Sequence, residues 1–398
     1  MREVVIMSGV RTAIGDFEGE LKNVSALELG KVVILEAIKR ATIKKEDVDE
    51  VIMGNVLPGG LGQNPARQAM LMAGLPIECG AITVNKVCGS GLKAVMLAAQ
   101  AIIANDADVI VAGGMENMYL APYYLPKARS GYRLWDGKLI DGMVHDGLWD
   151  IRADYHMGIT ADNVAKRFNI SREDQDKFAL RSFQKSKKAA SEGKFKEEIV
   201  GVEVSPQKGP AIIFERDEGY RRETNLETLS KLPSAFQKEG TATAGNSSKL
   251  SIGAAATVVL GKDKADQLGI KPLAKIIAQG SAGIETDIVV AAPIKSIPKV
   301  LNKAGLGLKD IDLHEINEAF SSSTLAVMRE LGIDETIVNV KGGAVSQGHP
   351  IGASGAIRLA TLLYAMKDWG VKRGMVSLCL GGGEAVSMIV EKYSEDKG

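Results

Sequence analysis

The chain alternates short runs of Val and Ile with amphipathic stretches of helical period along most of its length. Residues 4–8, Val-Val-Ile-Met-Ser, form a run suited to a strand buried on both faces. Residues 26–41, ALELGKVVILEAIKRA, carry apolar side chains at helical spacing, which predicts a helix packed by one face on a sheet. The same order then recurs. VNKVCGSG at 84–91 leads into the helical LKAVMLAAQAI, and ADVIVAGG at 107–114 follows as a strand ending in glycine. Far downstream, VNVKGG at 338–343 leads through a longer glycine-rich loop to SGAIRLATLLYAM, and RGMVSLCLGGG at 373–383 follows. DVDEVIMGN at 47–55 has its counterpart in DIDLHEIN at 310–317. Matching elements in matching order predict a duplicated α/β fold. Each half is expected to hold a mostly parallel core sheet covered by helices.

Residues 119–245 break this pattern. They hold six of the eight tyrosines and two of the three tryptophans. They also contain SREDQDKFALRSFQKSKKAASEG, a charged helix that opens on a capping box at Ser171 and Asp174 and stops at Gly193. The expected layout is an N-terminal α/β half from 1–118 and 246–270, an inserted loop domain at 119–245, and a C-terminal half from 271–398. The insertion is the natural place for substrate binding.

Composition narrows the function classes. The 398 residues carry 49 basic and 49 acidic side chains, a net charge of zero, which gives no overall attraction to nucleic acid or anionic lipid. No stretch offers roughly 20 apolar residues in a row without charges or turn residues. Neither nucleic acid nor membrane is therefore expected as a partner. Cys79, Cys88 and Cys379 are too few for a disulfide framework and fit a reducing compartment. No cysteine or histidine pair has metal-ligand spacing, so no metal is expected. The opening MREVVIMSGVRT lacks a secretory or transit pattern, and the closing EDKG is no peroxisomal address, so the expected location is the cytoplasm. Aromatics are sparse at 5%, whereas glycine, at 44 residues, is about 11% against an ordinary ~7%. The glycines cluster as GGM, CGSG, GGAVSQGHPIGASG and CLGGGE, at the strand-to-helix junctions where α/β folds collect functional groups. Glycine at such points lets backbone approach a neighbour closely, which suggests a crowded catalytic floor.

Four side chains at these junctions could do chemistry. Cys88, in Asn85-Lys86-Val87-Cys88-Gly89-Ser90-Gly91, lies where a strand ends and a helix begins. That position favours a thiolate and a nucleophilic role; a structural alternative is a small buried hydrophobe. His349, in Gly348-His349-Pro350, is held by proline on a loop before a helix, and histidine is the ordinary base for a thiol. Cys379, in Ser377-Leu378-Cys379-Leu380-Gly381, closes a strand and would project into the same crevice, or else fill the core. Asn317 sits at another strand-to-helix change, where a helix N-cap is its plain structural role. Two thiols, an imidazole and an amide at equivalent junctions of a duplicated fold suit acyl transfer through a thioester.

NKVCGSG, NEAF, GHPIGASGA and CLGGG resemble the four active-site motifs of the thiolases. The likeness runs along nearly the whole chain, through RTAIG near the start, MENM at 115–118 and TAGNSS at 243–248. HDGLWD at 145–150 and HMGITADN at 156–163 resemble the short-chain biosynthetic branch, the acetyl-CoA C-acetyltransferases. The resemblance implies a reversible Claisen condensation of two acetyl-CoA to acetoacetyl-CoA and CoA. In it His349 helps to deprotonate Cys88, which becomes acetylated, and Cys379 takes a proton from the methyl group of a second acetyl-CoA. One oxyanion hole would use His349 and a water held by Asn317; the other would use the backbone N–H groups of Cys88 and Gly381. The resemblance further places Ser248 on the pantetheine, Arg221 towards the nucleotide, His156 and Met157 beside the acyl pocket, and Ala319 and Phe320 of NEAF at the substrate. Coenzyme A thioesters are then substrates and no separate cofactor is implied, while a homotetramer or homodimer is. Lys249, Ile252-Gly253, Gln347 and Glu384-Ala385 depart from the usual family pattern. The alternatives are a degradative 3-ketoacyl-CoA thiolase of broader chain length, a ketoacyl synthase-like condensing enzyme, which usually has histidine where Cys379 stands, and a non-catalytic thiolase-like scaffold subunit.

Overall fold

Strand β1 (Val4–Thr12) is buried at every position, through the apolar Val4–Met7 and on through Ser8, Arg11 and Thr12, and it stands at the middle of the main sheet. The computed structural model describes residues 2–205 and 209–394; the terminal Glu-Asp-Lys-Gly at 395–398 lies outside the described residues. The first half adds β2 (Glu50–Gly54), β3 (Gly80–Val84), β4 (Val109–Asn117) and β5 (Ser251–Gly261). The second half holds β6 (Ala274–Gly283), β7 (Leu313–Ile316), β8 (Arg373–Leu380) and β9 (Glu384–Lys392). These nine strands form one continuous path in the order β7-β8-β9-β6-β1-β5-β4-β2-β3.

The path reads almost the same from either end. β2 pairs parallel with β3 and β4, and β7 pairs parallel with β8. His314 of β7 makes a single parallel bridge to Val338, where β3 pairs with β2 in the first half. β4 then runs antiparallel to β5, and β5 to β1; β8 runs antiparallel to β9, and β9 to β6. The halves meet where Val5 and Ile6 face Lys275 and Ala274. The sheet is thus mixed, with parallel ladders at its outer strands and antiparallel ladders along its long central ones. Of the central strands, β1, β4 and β5 are buried at every position, so their sequences lack the apolar–polar alternation of a half-exposed antiparallel strand.

Helices fill the space around and between the halves. α1 (Ala26–Ala41) covers the outer face of the first half, against β1, β4 and β5. It occupies the segment its periodicity predicts, capped by a box between Ser25 and Glu28. α2 (Ser90–Ala104) and α7 (Ser354–Trp369) touch each other and pack on strands of both halves as a central layer. Residues 87–104 are apolar and long enough to cross a membrane by composition, but more than half of that stretch is buried within this fold, as befits a core helix. Glycine permits the close crossing: a Cβ on Gly355 would stand 2.4 Å from the backbone N of Leu92. In the insertion, α3 (Met157–Arg167) and α4 (Arg172–Ser191) pack on α6 (Ser321–Leu331). The capping box at Ser171 and Asp174 is present, and Gly193, at φ +71°, turns the chain out of the helix. α5 (Pro293–Ala304) covers the outer face of β6 and β9.

Candidate active site

The first turn of α2 and the loop before α7 open onto one cavity of about 880 Å³. Ten of the eleven site residues expected from sequence line it. Cys88, His349, Cys379 and Gly381 lie on its floor, and His156, Met157, Ala319 and Phe320 on its apolar wall. Ser248 and Arg221 line it as well. Asn317 is the exception: it is buried behind His349, with its Nδ2 3.4 Å from His349 Nε2.

The loop that carries Cys88 is tightly held. Asn85 Oδ1 accepts from Val87 N at 3.0 Å, and Ser90 Oγ both accepts from Lys86 N and donates to Val87 O, at 2.8 and 2.6 Å. Val87 is thereby fixed at φ +44°, a left-handed conformation that costs a β-branched residue about 1–2 kcal/mol. It places the Val87 side chain against Gly381. Lys86 also forms an ion pair with Glu384, just past the glycines that follow Cys379. The two loops are thus joined by an apolar contact and a charge pair.

The Cys88 thiol differs from the expectation of a favoured thiolate. Burial pushes it up to about 11, against a partial offset from the Gly381 N–H, so the helix N-terminus does not overcome desolvation. Burial, and then the neighbouring Cys88, push Cys379 higher still. His349 moves the other way: burial, helped by the charge of Arg358, lowers it to about 3. At neutral pH the site therefore rests as two thiols and a neutral imidazole.

Neighbours on three segments hold the His349 loop and ring. His349 N donates to Lys249 O and Ser251 Oγ, each at 3.1 Å, and Nδ1 lies 2.6 Å from Ser354 Oγ. Glu116, from the MENM motif, is fully buried and binds the loop from below. It accepts from Gly352 N, Val56 N, Leu57 N and Asn55 Nδ2 at 2.8, 3.0, 3.2 and 2.6 Å. Burial still raises its carboxyl to about 7. Asn317 donates its backbone N–H to Ser377 O at 2.9 Å. It is not a helix cap, because the N-cap position of α6 is Phe320.

Two features were not expected from sequence. Phe236 stacks on His156 with ring centres 4.7 Å apart and meets Phe320 edge-on at 5.9 Å. Its signal was Gly158, where a Cβ would stand 2.1 Å from the Phe236 ring. Lys249 stands out differently. Its ammonium donates to Gly219 O and lies 5.2 Å from the Phe183 ring centre, and burial lowers it to about 8. It thus ties the cavity wall to the turn at Gly219–Arg221 that carries Arg221. Ile252 is a buried position of β5 opposite Asn117. At the mouth, Arg221 donates to Asp217 O and Arg216 O, and Arg222 pairs with Asp16 at 3.0 Å.

Comparison with known proteins gives consistent matches. The family model for the thiolase N-terminal domain matches residues 4–263, and that for the thiolase C-terminal domain matches residues 270–392. An acetyl-CoA acetyltransferase of Cupriavidus necator is 52% identical over 392 residues, covering 98% of this chain and 100% of that protein. One from Escherichia coli is 52% identical over 395 residues, covering 99% and 100%. The crystal structure of the Bacillus anthracis acetyl-CoA acetyltransferase superposes with a TM-score of 0.97 at 40% identity, covering 99% of each chain.

Proposed function

The chain belongs to the thiolase family, and we propose that it is an acetyl-CoA acetyltransferase that condenses two acetyl-CoA reversibly to acetoacetyl-CoA and CoA. The observation that carries this reading is one cavity lined by Cys88, His349 and Cys379, in a chain about half identical, end to end, to proteins of that name. His349 Nε2 takes the proton of Cys88, and the thiolate attacks the acetyl carbonyl. The leaving CoA thiolate takes the proton of Cys379, so free CoA departs, Cys88 is acetylated and Cys379 is left as a thiolate. Burial makes that thiolate a strong base. It removes a proton from the methyl group of the second acetyl-CoA, and the carbanion attacks the acetyl-cysteine. Cys88 leaves as a thiolate and recovers its proton from His349.

Charge developing on the thioester oxygens requires fixed donors. The N–H groups of Cys88 and Gly381 serve one oxygen, at about 3–4 kcal/mol for each such donor. Protonated His349 and a water on Asn317 serve the other; Asn317 Oδ1 is buried without a protein partner, which suits a group that binds water. Every proton is accounted for by the chain's own side chains and CoA, so the reaction needs no resident cofactor. Wild-type protein given acetoacetyl-CoA and CoA should consume the absorbing enolate, and Cys88→Ala should abolish this. A wild type without turnover on ketoacyl-CoA of four to eight carbons would end the proposal. A preference for the longer members would replace it with the degradative reading.

A homodimer or homotetramer and a cytoplasmic location belong to the same proposal. Edge strand β3 leaves Ile82 45% exposed with Ile77, at 72%, just before it, and in the insertion Trp135 is 88% exposed; such apolar surface suits burial by further copies. All three cysteines are unpaired, which fits a reducing compartment.

A further inference from the structure

Ser354 takes no part in the steps above, yet it is buried and touches the catalytic ring. Its Oγ lies 2.6 Å from His349 Nδ1 and 2.9 Å from the carbonyl oxygen of Pro350. A carbonyl oxygen can only accept, and a hydroxyl carries a single proton. Placed on Pro350 O, in the loop four residues before α7 begins, the Ser354 proton joins the N–H groups of Ala353 and Ser354 at that oxygen, and Oγ then accepts from Nδ1. We infer that Ser354 is a positioning residue that fixes His349 in the Nδ1–H tautomer, which leaves the Nε2 lone pair for the proton of Cys88.

The other contacts of the ring agree. Asn317 brings the donor Nδ2 to within 3.4 Å of Nε2, as an acceptor there allows. The backbone of His349 is tied to Lys249 and Ser251, and Pro350 fixes the chain that follows. Because burial and Arg358 keep the ring neutral, it carries one proton and only two tautomers compete. The Nε2–H tautomer has no lone pair where the base is needed. In the Nδ1–H tautomer, Nε2 accepts the Cys88 proton, the imidazolium donates from both nitrogens, and the same proton later returns to Cys88. The role rests on reading His349 as the base for Cys88; the proton placement itself does not.

The test is 15N NMR of the full chain labelled at histidine, with the His349 signals assigned by their loss in His349→Asn. Wild type should show a protonated, pyrrole-type Nδ1 and an unprotonated, pyridine-type Nε2. Ser354→Ala should shift the ring towards Nε2–H and lower kcat on the order of 10–100-fold, with the KM for acetoacetyl-CoA little changed. Ser354→Thr, which keeps the hydroxyl, should restore the tautomer and most of kcat. Protonated Nε2 in wild type would overturn the inference, as would Ser354→Ala with wild-type tautomer and kcat. Should the alanine variant fail to fold, the wild-type spectrum still decides. The expected tautomer in a wild type without turnover would sink the thiolase reading and leave the proton placement standing.

Discussion

At Cys88 two familiar effects oppose each other. A helix N-terminus stabilises a thiolate, and the sequence shows that helix clearly, in a glycine-flanked cysteine before LKAVMLAAQAI. Burial disfavours the thiolate, and it depends on Leu380, Val386 and Gly381, which come from the far end of the chain and pack on residues 87–89. The second effect wins, so the free thiol is raised to about 11. The place of Cys88 at the start of a helix was therefore legible and its resting protonation was not. Alkylation of Cys88 by iodoacetamide should accelerate with pH through the range from 7 to about 10, because the thiolate fraction keeps rising below the folded value. A rate that levels off near pH 7 would contradict a raised thiol.

At the level of elements, local signals performed well and long-range pairing did not announce itself. α1 and α4 carry their stripes and capping boxes within their own residues. The mirrored order of strands follows from the duplication. The antiparallel pairing of β1, β5 and β4 does not, since strands covered on both faces show the same apolar run in either direction. The ion pair of Lys86 and Glu384 was hidden in the same way, being 298 residues apart in sequence. Both groups are partly exposed, so the pair contributes under about 1 kcal/mol to stability. Its position decides its effect: it spans the loop that carries Cys88 and the loop that carries Gly381. Glu384→Gln is expected to lower kcat several-fold with little change in Tm or KM, and the exchange Lys86→Glu with Glu384→Lys should recover part of the loss. Steady-state kinetics on the two single variants and the double variant check this. Additive losses would mean that the pair positions nothing.

For the whole molecule, zero net charge leaves CoA to be drawn by local groups, and the mouth supplies Arg221 and Arg222. Both already face carboxylates, Glu20 at 3.7 Å and Asp16 at 3.0 Å. Global stability should carry a separate pH signature. His314 is buried in β7 with neither ring nitrogen bonded, and burial lowers it to about 4. Its folded value lies below its unfolded one, so its contribution is complete above about pH 6.5 and is lost as pH falls towards 4. Buried Glu116 and Glu315, raised to about 7 and about 8, act with the opposite sign, which makes a paired comparison necessary. Urea unfolding at pH 7 and pH 5 should show His314→Leu losing about 2 kcal/mol less than wild type over that interval. Equal losses would place the acid sensitivity elsewhere.

In the proposed reaction one thiol carries the acetyl group between two thioesters. This is tested most directly by mixing the wild-type protein with acetyl-CoA, quenching in acid and mapping the acetyl group by peptide mass spectrometry. A single acetyl on Cys88, absent from Cys88→Ala and removed by added CoA, is the expected result. Turnover with no acetyl on Cys88, or with the label on Cys379 instead, would exclude Cys88 as the carrier.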